Sequence, residues 1–296
     1  MTQEITTNSP LFSTPYITIA EYKQAPTAVD VDDLVGGGSS AVNDQELANC
    51  VARASSWIDA HCGQVLAATQ DTESFRARVS RDGFLKVHPR YSPIIELQSL
   101  SFGSTPANMS SVDVTTAWIE NQSVVIPVSG VAAPFLGSLS FSGSFRYNTD
   151  AFVTMSYTNG YANTVTTATS LVGATSLTVS DLTGFMAGAQ FAIYDADKTE
   201  LLKVSNSFTP TTGSGTLTLQ NATQYAHATA GVSVSMLPPA IKQAAIYMTN
   251  VILKSRGTPA IAMNQLSPVS YVGYNPGQVQ DLNLAQELLK PFRRIR

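Results

Sequence analysis

Histidine, cysteine and carboxylate side chains are where chemistry would be sought first, and their spacing here argues against it. The histidines are His61, His88 and His227, and the cysteines are Cys50 and Cys62. Only His61 adjoins a cysteine. Consecutive residues on a helix point about 100° apart, so that pair is poorly placed to share a metal. Zinc sites draw on recurring pairs such as Cys-x-x-Cys or His-x-x-x-His, and neither occurs. Asp30, Asp32 and Asp33 have the chemistry of carboxylate ligands or of an acid–base pair, but beside Gly36, Gly37 and Gly38 they read first as a solvated loop. Asp195-Ala196-Asp197 is a fragment of a calcium loop without its glycine and closing glutamate, and reads as a tight hairpin turn. The glycine run lacks the Lys-Ser/Thr of a phosphate loop, and no Gly-x-Ser-x-Gly elbow exists. No catalytic residue, metal or cofactor is expected, and function is to be sought in contacts.

Composition points the same way. Charged residues are 13% of 296, about half the usual share. A neutral polar surface suits a protein packed against copies or partners, and many extracellular β proteins share it. The net charge of −4 gives no overall nucleic-acid footprint. The charge is uneven, however. Glu4, Glu21, Asp30, Asp32, Asp33, Asp44 and Glu46 face only Lys23 in the first fifty residues, whereas Lys290, Arg293, Arg294 and Arg296 end the chain without an acid. Such ends can complement each other between subunits or steer the tail onto an acidic partner. Cys50 and Cys62 lie about 18 Å apart on one expected helix, too far for a disulfide, so two reduced thiols are expected, as in a cytoplasm. Neither a leader nor a membrane span is expected.

These residues must be positioned by a mixture of helices and strands. Residues 1–16, with Pro10 and Pro15, read as an arm. Thr18-x-x-Glu21 is a capping box with Ile17 placed to staple onto Tyr22, and its short helix must end before Pro26. Asn43-x-x-Glu46 reads as the cap of a longer helix over 43–62. Leu47, Cys50, Val51, Ala54, Trp57, Ile58 and Cys62 share one stripe of it, and Gly63 ends it. From 70 to 160 the texture is β: Phe75, Ala77 and Val79 alternate with arginines, and Asp82-Gly83 is a hairpin turn into Phe84–Val87. Further strands follow at 93–100, 118–119, 123–126 and 152–157, and residues 129–144 read as a loop. Residues 163–236 form a separate block of short strands at 175–179, 190–194, 200–204, 215–219 and 231–235, the pattern of a small barrel or sandwich. The helical period returns at Pro238-Pro239 and is expected to stop at Gly257. Ile241, Ala244, Ala245, Met248, Val251 and Ile252 make its stripe, with Ile246 and Leu253 off it, so this helix is buried on two sides. A connector over 258–280 carries Tyr271 and Tyr274, where tyrosine marks an interface. A last helix over 281–290 precedes Pro291. The fold class is α+β: a small helical bundle core with a β element, plus an inserted all-β module.

The order of elements resembles the adaptor, or head–tail connector, proteins of long-tailed bacteriophages. The shared features are the Thr18-x-x-Glu21 helix and a longer helix ending Trp57-Ile-Asp-Ala-His-Cys-Gly63. Then come Tyr157-Thr-Asn-Gly-Tyr161, Leu237-Pro-Pro-Ala-Ile-Lys-Gln-Ala leading to Arg256, and Leu288-Leu-Lys-Pro-Phe-Arg293. The resemblance covers 17–102, 150–161 and 237–296. Each motif is weak alone; five in order are more specific. The chain departs from the pattern in its length and in the 163–236 block.

The resemblance implies a structural virion protein without enzymatic activity, forming a homo-oligomeric ring, usually of twelve. The ring docks on the portal protein and joins it to a tail-side connector or tail terminator protein. Double-stranded DNA passes through its channel without sequence-specific binding. The protein would sit in the head–tail neck of the virion after assembly in the host cytoplasm, with no membrane. The division expected is an arm (1–16), an adaptor core (17–162 and 237–257), the inserted module (163–236) and a C-terminal arm with its helix (258–296). Portal-binding residues are then Leu284, Leu288, Leu289, Lys290, Pro291, Phe292, Arg293, Arg294 and Arg296. Trp57, Ile246, Leu253, Tyr271 and Tyr274 are expected at subunit interfaces. The tail is expected to be separable from the fold. The alternative is a tail or baseplate protein whose β block binds a surface glycan.

Overall fold

Period-two and period-3.6 stretches of the sequence fold into sheets and helices, so the class is α+β. The computed structural model describes residues 14–27, 29–78, 80, 84–127, 150–227, 231–255 and 276–294. The chain forms two units, Ala68–Gly160 and, discontinuously, Phe12–Ala67 with Tyr161–Arg296. These boundaries fall elsewhere than those read from composition: the β block after residue 161 clusters with the helices.

The first unit is antiparallel β structure. Strands β1 (Thr69–Arg78), β7 (Asp150–Asn159), β3 (Ile94–Thr105) and β4 (Asn108–Val112) make one sheet in that order. Strands β2 (Phe84–Val87), β6 (Ser123–Pro127) and β5 (Trp118–Glu120) make another. Alternation buries Ala77, Leu85, Val87, Val153, Met155 and Tyr157 in one core. The Asp82-Gly83 turn, Val79 and the 129–144 loop lie outside the described residues.

The second unit contains α1 (Ile19–Gln24), α2 (Ser40–Cys62), α3 (Pro239–Lys254) and α4 (Pro276–Leu289). The Thr18 capping box is present in both directions, and Ile17 and Tyr22 are buried together. The Asn43 reading needs correction. Helix α2 begins a turn earlier, with Ser39 at its N-cap and no side-chain cap. Asn43 lies inside the helix and pins the acidic loop: its Oδ1 accepts from Val35 N–H at 2.9 Å and its amide donates to Asp32 C=O. A tertiary partner thus claims the side chain that looked like a cap. Gly63 closes α2 at φ 70°, where other residues are strained. Helix α3 starts at Pro239 as read and is buried on two sides, Leu253 included at 7% exposure. Helix α4 starts at Pro276, earlier than read, because proline suits a first helical turn. Leu47, Ile58, Leu237, Ile241, Ala285 and Leu289 share one core. Full burial of each leucine or isoleucine contributes about 1.5–3 kcal/mol.

Among the described residues, the strands of the β block of this unit pair with one another. Strands β11 (Glu200–Lys203), β10 (Gln190–Tyr194), β13 (Ser233–Ser235) and β8 (Asn163–Val165) form one sheet, and β12 (Gly215–Thr218) pairs with β9 (Ser176–Val179). Bridges at Thr166–Val179 and Val204–Leu219 link the two sheets. Strand β8 has no apolar alternation and was not expected. It pairs with β13, and Met236 N–H donates to Ala162 C=O at 2.8 Å, so the block begins and ends at one place. The Asp195 segment joins β10 to its antiparallel neighbour β11, a hairpin as read, and Ala196–Lys198 within it form a 3-10 turn.

Candidate functional site

The C-terminal tail, expected to reach outward, lies on the chain's own helices. Leu282, Ala285 and Leu289 on α4 are buried. Phe292 packs edge-on against Tyr161 with ring centroids 6.5 Å apart, and its carbonyl accepts from Gln64 Nε2 at 3.2 Å. Arg294 N–H donates to Cys62 C=O at 2.9 Å, satisfying a carbonyl at the open end of α2. The Arg293 charge acts on His61 and Cys62 and so lies near the negative end of the helix dipole. The tail is part of the fold, which corrects the expectation that it is separable.

Of the expected portal contacts, Leu284 is 39% exposed, Lys290, Pro291 and Arg293 are exposed, and Leu288, Phe292 and Arg294 are half-buried. Leu289 is wholly buried, so it belongs to the core and not to a docking surface. Lys290 pairs with Glu287 at 2.6 Å. Arg296 lies outside the described residues. Among the expected interface residues, Trp57 is half-buried and stacked on His61 at 4.9 Å, and Ile246 is half-buried. Leu253 is taken up by the chain's own core. Tyr271 and Tyr274 lie outside the described residues.

Beside the tail, Asp59 on α2 receives the Tyr16 hydroxyl and, at 3.3 Å, Leu66 N–H. Burial pushes its carboxyl up to about 6, and the Tyr16 bond works against that rise. Burial also pushes the Cys62 thiol up to about 12, so it is a poor nucleophile. Both cysteines are buried.

Three polar clusters were invisible in the sequence. Lys242 on α3 is 5% exposed, and its ammonium donates to Glu21 Oε1 at 2.6 Å and to Ser233 Oγ at 3.0 Å. It also lies 4.0 Å from the centre of the Tyr194 ring. Burial lowers its pKa and Glu21 opposes the shift. All three ammonium protons have partners, so Lys242 ties α1, the β block and α3 together. It forms the wall of a pocket of about 330 Å³ whose apolar lining includes Ile17, Pro26, Pro239 and Ile246. His227 is buried with Nδ1 2.8 Å from Asp195 and Nε2 2.9 Å from Glu200, which staples the turn after β10 to β11. In the first unit, Glu73 accepts from the Tyr157 hydroxyl at 2.5 Å and from Arg90 N–H at 3.0 Å, and burial raises its pKa. Each cluster joins residues tens to hundreds apart in sequence, so no local pattern announces it.

Among the described residues no three His, Cys, Asp or Glu side chains are grouped to hold a metal, and no helix is long and apolar enough to cross a membrane. No protein-family model and no curated protein matches the chain.

Proposed function

We propose that this protein is a structural, ring-forming adaptor of a bacteriophage neck, docking on the portal and continuing the DNA channel to the tail. One observation carries the reading. The motifs of the resemblance are scattered over some 270 positions, yet Ile17, Tyr22, Ile58, Tyr161, Leu237, Ile241, Leu289 and Phe292 pack in or against a single helical core. A core assembled from all the motif-bearing segments is what a shared helical scaffold requires. The β block is read as an insertion into that scaffold, because its described strands pair among themselves and its ends are hydrogen-bonded to each other. The portal contact is assigned to the exposed part of α4 and the tail, Leu284, Lys290, Pro291 and Arg293. Docking many copies at once would give a tight joint from weak single contacts. The wall needs no strong phosphate pairing, so DNA can slide.

The test is to mix the purified protein with the portal ring and measure the mass and symmetry of the product. A portal carrying a closed ring of about twelve copies, the count the resemblance implies, is expected. A portal that stays bare at high protein concentration would sink the reading.

A further inference from the structure

His227 is 1% exposed and has a carboxylate at each ring nitrogen. Nδ1 lies 2.8 Å from Asp195 Oδ2, and Nε2 lies 2.9 Å from Glu200 Oε1. Two contacts of that length need two protons, one in each. A carboxylate brings none and a neutral imidazole brings one, so the folded chain must hold one more. The Glu200 side chain is 4% exposed, and its other oxygen accepts from Gln224 N–H at 2.9 Å. Among the described residues no lysine or arginine is paired with either carboxylate. Asp197 is exposed and Lys198 half-buried in the turn that follows Asp195. Segments 169–174 and 223–226, which are joined to this site, carry no charged side chain; their one titratable group is the exposed Tyr225.

The cluster sits where three segments of the β block meet. Ser170 and His227 exchange backbone hydrogen bonds at 2.9 and 3.0 Å, and Gly173 N–H donates to Thr223 C=O at 2.9 Å. Thr223 Oγ1 donates to Leu171 C=O at 2.9 Å. The imidazole thus ties 169–174 and 223–227 to the turn after β10 and to the first residue of β11. This end of the block carries Leu171 and Val172, 78% and 65% exposed, and Tyr225 at 41%.

We propose that this end of the β block is a proton-held latch, in which His227 is an imidazolium between Asp195 and Glu200 and rising pH opens the three segments by removing its second proton. With that proton gone, a ring lone pair faces a carboxylate, and a buried carboxylate loses its counter-charge. The segments then part. An opened segment releases the extra proton to water above the ordinary histidine range, about 6.5. From about pH 7.5 upward the closed latch therefore binds one proton more than the open one, so its stability is full at lower pH and falls as pH rises. The latch does not depend on the adaptor reading.

The test uses the full-length protein with isotope-labelled histidine. Ring-nitrogen NMR at about pH 7.5, above the ordinary histidine range, should show a proton on both nitrogens of His227, identified as the signals that His227→Gln removes. A bare nitrogen on His227 would overturn the proposal. Glu200→Gln provides the comparison. Its amide can donate to Nε2 of a neutral ring while its oxygen accepts from Gln224 N–H, so no extra proton is needed. Amide hydrogen exchange at Ser170 and Gly173, corrected for its intrinsic rise with pH, gives the opening constant of this end. Relative to Glu200→Gln, that constant should rise in the unaltered protein by up to about tenfold per pH unit above about pH 7.5. A ratio that stays level with pH would refute the latch. Taking the ratio removes the groups that both proteins share, Asp59 and Cys62 among them. Should Glu200→Gln fail to fold, the ring-nitrogen measurement decides alone.

Discussion

At the scale of residues, the ion pair between Lys242 and Glu21 decides more than any exposed charge. Their side chains are 7% and 11% exposed, and 221 positions separate them. Removing one partner strands the other in a medium that solvates it poorly. Lys242→Met should therefore lower the unfolding free energy by about 3–5 kcal/mol, read by urea denaturation. The double variant Lys242→Met with Glu21→Gln should recover much of that loss, since the stranded carboxylate is gone. Asp59 makes a second prediction, with a sign. Its folded pKa, about 6, lies above the ordinary carboxyl value of 3.8, so the folded state binds the proton more tightly. The stabilisation is full below pH 4 and is lost as pH rises to 6. The denaturation midpoint should fall across that window by an amount worth about 1–3 kcal/mol. Asp59→Asn should flatten the profile, while keeping an acceptor for Tyr16. An unchanged slope in that variant would refute the assignment.

At the scale of elements, the tail helix shows what sequence can and cannot say. Its amphipathic residues were legible, but whether its apolar side met a partner or its own chain was not. The structure seats Leu289 in the core and leaves Leu284 at 39% exposure. Leu289→Ala should cost about 2–5 kcal/mol of stability. Leu284→Ala should stay within about 0.5 kcal/mol by thermal denaturation and act instead on portal docking. Equal effects on stability would contradict the packing described for α4. The same contrast runs through the fold. The Thr18 capping box was legible because every partner lies within four residues. Asn43 misled because its partners, Val35 and Asp32, belong to a loop that folds back. The helical stripes of α2 and α3 could be read from spacing alone, as could most strands of the β block. Strand β8 could not, because Asn163-Thr164-Val165 becomes a strand only by pairing with β13, some seventy positions later. The polar clusters around Lys242, His227 and Glu73 are likewise products of tertiary folding, and conventional motif spacing is blind to them.

At the scale of the whole molecule, the β block tests how the chain is built. Leu177, Phe185, Phe191, Ile193, Val204 and Val234 give it a core of its own, distinct from the helical one. Its entry and exit are adjacent, since Ala162 and Met236 share a backbone hydrogen bond. A module of that kind can be removed without stretching the chain that remains. Replacing residues 163–236 by a short glycine–serine link should leave a protein whose circular dichroism is more helical and which still unfolds cooperatively. It will be less stable, because Lys242 loses Ser233 and the Tyr194 ring, and Asn163 no longer donates to Pro15 C=O. Those are a few contacts against a helical core that survives whole. The shortened protein should still dock on the portal, because α4 packs on α3 and the tail is hydrogen-bonded to Cys62 and Gln64, all of which the excision keeps. Collapse of the helical signal on excision would instead mean that block and helices fold as one, and the insertion reading would fail with it.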